Sequence, residues 1–197
     1  MKEVTIISLS APIGSGKDFI AEIAKEQFGY KHLKLMGLIK YIYCQIHGTT
    51  LEQLEQRKYK EIARPELIAT SAKIKDIYGV NCLCEVVYNQ ILQELEITGT
   101  TKFLVSDLRF PYQALYFRKL GRCSKTQCEV EHKGIPGYEV DYKSLYIESD
   151  LADKSSSEES ESYYESYLKP NSDGIIFNGT QERYDKDRLV NQLAKFL

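Results

Sequence analysis

Apolar positions along the chain fall into two alternating patterns. Val4-Thr5-Ile6-Ile7-Ser8-Leu9 is a near-continuous apolar run, the signature of a strand buried on both faces. Phe19, Ile20, Ile23, Ala24 and Phe28 then recur at helical spacing, and Gly29 supplies the stop. A short apolar stretch at Lys31–Leu35 predicts a second strand. Leu38, Ile39, Ile42, Tyr43 and Ile46 predict a helix ending at Gly48. Residues 51–63 are charged and polar. Pro65 reads as the first position of a helix running to Tyr78, because its missing N–H costs nothing there. Leu83, Val86, Val87, Ile91 and Leu95 predict a further helix over Val80–Leu95.

Phe103-Leu104-Val105 predicts a central strand, followed by a helix from Pro111 to Leu120. Residues 123–131 are strand-like. Residues 133–172 are polar and carry the acidic run SSSEESESYYES, whose plain reading is a solvated loop or helix face. Gly174-Ile175-Ile176-Phe177 predicts a last strand and Arg188–Phe196 a closing helix. Strands alternating with helices predict an α/β fold: a parallel central sheet with helices on both faces, in three layers. The helical block at 36–98 is longer than one crossover needs, so it reads as an insertion that builds a binding surface.

The turn between the first strand and helix is Ala11-Pro12-Ile13-Gly14-Ser15-Gly16-Lys17-Asp18-Phe19. Strand, glycine-rich turn, Lys and helix, in that order, make a phosphate-cradling P-loop. Small residues let backbone N–H groups point inward, the helix N-terminus adds positive potential, and Lys17 adds a point charge. Ala11 stands in the first Gly place of the usual motif and Asp18 in the Ser/Thr place. An anion beside a triphosphate needs a cation between them, so Asp18 implies Mg2+. At the end of the central strand come Asp107 and Arg109. That edge is where ligands sit in open α/β sheets, and the pair suits a Mg2+ carboxylate and a phosphate clamp. A helix-capping Asp paired with its own Arg is the alternative.

Composition narrows the picture little. The chain has 197 residues and a net charge of −2, so it has no basic field for holding nucleic acid. Only seven residues are Arg, which marks each as a candidate phosphate ligand. The five Cys (44, 82, 84, 123, 128) are odd in number and show no CxxC spacing, so free thiols are expected. Cys123, Cys128 and His132 make a poor zinc set, three ligands at unusual spacing. No signal peptide or apolar run of transmembrane length is seen, which predicts a cytoplasmic protein with no membrane partner.

SGKDF at 15–19, SDLRFPYQA at 106–114, SSEES at 156–160 and GIIFNGT at 174–180 together resemble the deoxynucleoside monophosphate kinases of the viral and bacteriophage type, within the P-loop nucleotide kinase superfamily. Phe19 departs from that family's Thr, and Pro111-Tyr112-Gln113 from its Asn-Glu segment. The Lys-Asp-Phe turn also resembles animal phosphomevalonate kinases. The resemblance implies one P-loop kinase domain: a core of 1–35, 99–131 and 173–197, a helical acceptor-binding insertion at 36–98, and a lid-like region at 132–172. It implies ATP as donor, Mg2+, and a deoxynucleoside monophosphate acceptor converted to the diphosphate. The alternatives are another small-acceptor kinase, such as one for phosphomevalonate, and a non-catalytic nucleotide-binding module.

The implied ATP site is Ile13, Gly14, Ser15, Gly16, Lys17, Asp18 and Phe19. The implied catalytic residues are Lys17, Arg109 and Asp18, with Asp18 and Asp107 toward the metal. The implied acceptor residues are Lys40, Arg64, Asp107, Arg109 and Glu158. Lys133, Lys143 and Lys154 are candidate lid charges, and Tyr41, Tyr43, Tyr59, Tyr78 and Tyr88 candidate base-stacking residues. No polymeric nucleic acid is expected as a partner, and a homodimer is the candidate assembly.

Overall fold

A computed structural model describes residues 2–121, 134–152, 162–180 and 185–197. Five strands form one sheet: β1 (Lys2–Ser10), β2 (Lys31–Lys34), β3 (Lys102–Leu108), β4 (Tyr138–Glu148) and β5 (Gly174–Phe177). Their order is β2-β3-β1-β4-β5, and every pairing is parallel. The helices are α1 (Lys17–Phe28), α2 (Gly37–His47), α3 (Leu51–Glu55), α4 (Arg57–Tyr78), α5 (Cys82–Ile97), α6 (Pro111–Arg118) and α7 (Lys186–Leu193), with a π-helical segment at Tyr164–Leu168. The expected α/β class and parallel sheet are what the chain forms.

Strand periodicity divides the core in two. Val4 and Ile6 of β1, Phe103 and Val105 of β3, and Val140, Tyr142 and Tyr146 of β4 join the cluster that holds the buried residues of α2 and α4 to α6. The intervening Ile7, Leu9, Leu104, Leu145 and Ile147 join the opposite cluster with α1, α7 and Ile176. Successive side chains point to opposite faces, so one register covers both sides of the sheet with helices. No helix among the described residues is long and apolar enough to cross a membrane.

Two sequence readings need correction. Tyr138–Glu148 is not part of a lid: it is a full strand paired along its length with β1, from Lys2↔Tyr138 to Ser10↔Tyr146. Its Tyr, Lys and Ser content hid it. The Tyr142 hydroxyl meets Ser8 Oγ at 2.7 Å inside the core, so a polar pair replaces an apolar one. Lys143 is likewise no lid charge, since its ammonium donates to the Phe196 carbonyl at 2.9 Å. Pro65 does not start a helix; it lies inside α4. An interior Pro costs about 3 kcal/mol. Ala63, Leu67 and Ser71, all buried on one stripe, run past it and favour the continuous helix. The strand-like 123–131 and the zinc reading of Cys123, Cys128 and His132 lie outside the described residues.

Candidate active site

The site is built where β1 and β3 end side by side. After Ser10 the chain curls through Gly14 and Gly16, both at positive φ (84° and 78°). Gly16 is the N-cap of α1 and its carbonyl accepts from Phe19 and Ile20 amides at 3.0 and 3.1 Å. A second constraint acts on Gly16. Asn178, just beyond β5, donates through Nδ2 to the Ser15 carbonyl at 2.8 Å. A Cβ on Gly16 would lie 2.3 Å from that same nitrogen. Asn178 therefore holds the loop from outside, which its sequence position gave no way to see.

Ser15 Oγ is buried and has no hydrogen-bond partner among the described residues. Together with the curled loop and the α1 N-terminus, it fits an oxygen-rich anion. Lys17 reaches across to Asp107, with Nζ 3.3 Å from Oδ1.

Asp107 owes its direction to a bulge. β1 and β3 pair Ser8↔Val105 and then Ser10↔Leu108, so β3 carries one extra residue there. Asp107 takes a left-handed φ of 69°, which Asp tolerates better than most residues. Burial opposes its charge, but Lys17, Lys40, Arg109 and Lys34 overcome that and hold the carboxyl well below the usual range. Two residues on, Arg109 and Phe110 both donate backbone N–H to Gln113 Oε1, at 2.8 and 3.1 Å. Buried Gln113 thus fixes the turn that carries Arg109.

Asp18 is exposed in the first turn of α1, and its Oδ1 meets Lys34 Nζ at 2.9 Å. Although its tip meets solvent, the protein packed around the rest of the carboxylate opposes its charge, yet Lys17 and Lys34 lower its pKa. Asp18 and Asp107 are hard oxygen donors, the chemistry Mg2+ takes. Among the described residues no cluster of three or more His, Cys, Asp or Glu is placed to hold a metal. Two carboxylates with phosphate and water completing the shell suit Mg2+, which retains water, better than they suit zinc.

Beside Lys17 and Asp107 opens a cavity of about 360 Å3. Among the described residues six cations line it: Lys17, Lys40, Lys60, Arg64, Lys75 and Arg109. Met36, Leu67, Ile68, Ala72 and Phe110 supply its apolar wall. Of the residues singled out from the sequence, Lys17, Lys40, Arg64, Asp107 and Arg109 lie around this one cavity. Lys40 is buried, and its ammonium meets Glu55 Oε1 at 2.7 Å. Arg64 lies within α4 and donates to Glu61 at 2.8 and 3.0 Å.

Ile13 and Phe19 do not line the cavity, and Phe19 is exposed. Glu158 and the candidate lid charges Lys133 and Lys154 fall outside the described residues. None of the five candidate Tyr lines the cavity; the ring there is Phe110, stacked on Tyr112 with centroids 5.5 Å apart. Lys75 covers Phe110, its Nζ 5.0 Å from the ring centroid. Lys60 and Lys75 escaped the sequence reading. The spacing 60, 64, 68, 71, 75 that puts them on one face of α4 was hidden by breaking the helix at Pro65.

A parallel sheet, a P-loop after its first strand and a cationic cleft beside it define a P-loop kinase. The chain belongs to the phosphomevalonate kinase family: the sequence pattern of that family matches residues 9–123, more than half of the chain. No curated protein sequence matches it. Among solved structures, shikimate kinase from Bacteroides thetaiotaomicron is similar at 10% identity, over 98% of each chain, with a TM-score of 0.47. Dephospho-CoA kinase from Campylobacter jejuni is similar at 16% identity, over 100% of this chain and 98% of that one, with a TM-score of 0.45. Overlaps this loose do not bear on the acceptor. The family match moves the phosphomevalonate reading ahead of the deoxynucleotide one.

Proposed function

We propose that this protein transfers the γ-phosphoryl group of ATP to the phosphate of a small, doubly anionic acceptor, with phosphomevalonate as the first candidate. The observation that carries this reading is the six-cation cavity opening beside Lys17. A phosphate acceptor brings its own negative charge against a triphosphate, so positioned cations are what the reaction most needs. The acceptor oxygen is already anionic near neutral pH, since the second phosphate pKa is about 6. It attacks the γ-phosphorus, the bond to the bridging oxygen breaks, and ADP leaves with that electron pair. No general base is required.

Lys17 and the amides of Gly14, Ser15 and Gly16 hold the donor phosphates in this reading. Arg109 clamps the group in transfer, and Lys40 and Arg64 bind the acceptor phosphate. Asp18 and Asp107 would hold Mg2+, which neutralises phosphate charge when bound.

The lining around Phe110 favours a second anion over a nucleobase. The Phe110 ring is covered by the Lys75 ammonium rather than left open for stacking. Phosphomevalonate carries a carboxylate as well as a phosphate, which suits a lining that joins several cations to an apolar wall. A deoxynucleoside monophosphate is the second reading, favoured by the presence of the Phe110 ring in the lining. A coupled ADP-release assay with phosphomevalonate, the four common deoxynucleoside monophosphates and ribonucleotides tests this. Turnover with phosphomevalonate alone supports the first reading. Turnover with a nucleotide alone replaces it, and ATP binding without any acceptor-stimulated release makes the chain a binding module.

A further inference from the structure

Lys34, Lys40 and Lys60 come from three separate elements, β2, α2 and α4, and their ammonium groups converge on one carboxylate. Glu55 Oε1 accepts from Lys40 at 2.7 Å and from Lys34 at 3.4 Å, while Oε2 accepts from Lys60 at 3.3 Å. Lys40 and Lys60 line the cavity; Glu55 does not. Lys34 continues the chain of charges to Asp18 at 2.9 Å.

Glu55 is itself well held. Helix α3, which it ends, begins with a reciprocal capping box: Gln53 N–H donates to Thr50 Oγ1 at 3.2 Å, and Thr50 N–H donates to Gln53 Oε1 at 2.9 Å. Buried Leu54 anchors the same turn in the core. Although burial opposes its charge, the three ammonium groups bring the Glu55 pKa down to about 2, so it stays ionised at neutral pH.

We propose that Glu55 is a positioning residue that fixes the Lys40 and Lys60 ammonium groups at the cavity wall for the acceptor phosphate. A free Lys gives up about 2 kcal/mol of rotamer freedom when it is ordered. Pairing with Glu55 orders both side chains before the acceptor arrives, and each ammonium keeps further protons to donate. One carboxylate also relieves repulsion among three close cations without neutralising them.

The proposal rests on the reading that this cavity receives the acceptor phosphate, so the test uses inorganic phosphate as probe and scores turnover separately. Isothermal titration of phosphate into the ADP-loaded full chain should show affinity about tenfold weaker in Glu55→Gln, which keeps shape and loses charge. ADP affinity should stay within about twofold. Glu55→Asp should recover part of the loss, and in a Lys40→Met background the Glu55→Gln effect should shrink.

Phosphate binding that is unchanged or tighter in Glu55→Gln would overturn the proposal, because the carboxylate would then be a bystander or a competing anion. A parallel fall in ADP affinity would do the same by pointing to a general packing role, as would failure of the wild-type chain to bind phosphate. Phosphomevalonate turnover is independent: its absence alongside an intact phosphate effect would strike the acceptor reading and leave Glu55 in place.

Discussion

Replacing Gly16 by Ala probes the loop through two separable costs. The first is conformational. Gly16 has φ of 78°, and a left-handed residue with a Cβ costs roughly 1–2 kcal/mol. The second is steric. The new Cβ would sit 2.3 Å from Asn178 Nδ2, which must move and give up its 2.8 Å bond to the Ser15 carbonyl. Leaving a buried amide and carbonyl unpaired costs about 1–3 kcal/mol. The sum, about 2–5 kcal/mol, lowers the melting temperature of a chain this size by roughly 4–20 °C.

Gly48→Ala is the matched control, because Gly48 has φ of 62° but nothing within 4 Å of its added Cβ. It should show only the conformational cost. Calorimetric melting of both variants therefore isolates the Asn178 contribution, and ADP titration should show weakened binding in Gly16→Ala alone. Adding Asn178→Ala to Gly16→Ala should cost less than the two single changes summed, by about 1 kcal/mol or more. If Gly16→Ala melts no lower than Gly48→Ala and binds ADP normally, Asn178 does not clamp this loop and the reasoning fails.

Further outcomes follow from the same geometry. Lys17→Ala should cut turnover by about 100-fold or more while the circular dichroism spectrum stays unchanged, and near-normal turnover would remove it from the phosphate site. Arg109→Ala should lower turnover with the melting temperature little changed; a large drop in melting instead would show that its role is to hold the fold. Tyr142→Phe strands the buried Ser8 hydroxyl and should cost about 1–3 kcal/mol in denaturant unfolding, with wild-type stability as the refuting result. The Glu55 pKa is depressed from 4.5 to about 2, so its ion pairs stabilise the fold above pH 4.5 and that contribution is lost as pH falls toward 2. The stability gap between wild type and Glu55→Gln, read by denaturant melts across that range, should close on acidification; a gap independent of pH would show that the pairs contribute nothing.

Sequence reading succeeded where one local rule carries the signal. β1, the glycine turn and α1 announce themselves by a change of period from 2 to 3.6 around small residues. Asp107 and Arg109 follow from ending a buried strand with charges. Reading failed where tertiary partners decide. β4 hides its core face behind hydroxyls that are satisfied only once β1 lies alongside. α4 continues through Pro65 because its buried stripe outweighs a broken local rule. The bulge that aims Asp107, the hold of Gln113 on Arg109 and the reach of Asn178 to Ser15 join residues whose closeness no spacing encodes.

The placement of β1 in the middle of the sheet also governs how the chain can be made. Its two neighbours, β3 and β4, are translated long after it, and Asn178 later still. Such distant closures are slow and leave an unpaired strand edge open to other chains meanwhile. During synthesis the phosphate loop therefore has no finished scaffold, and nucleotide capture has to await the carboxyl-terminal third. A ligand that stabilises the mature protein would then offer little help to the nascent polypeptide, whose binding loop is not yet held.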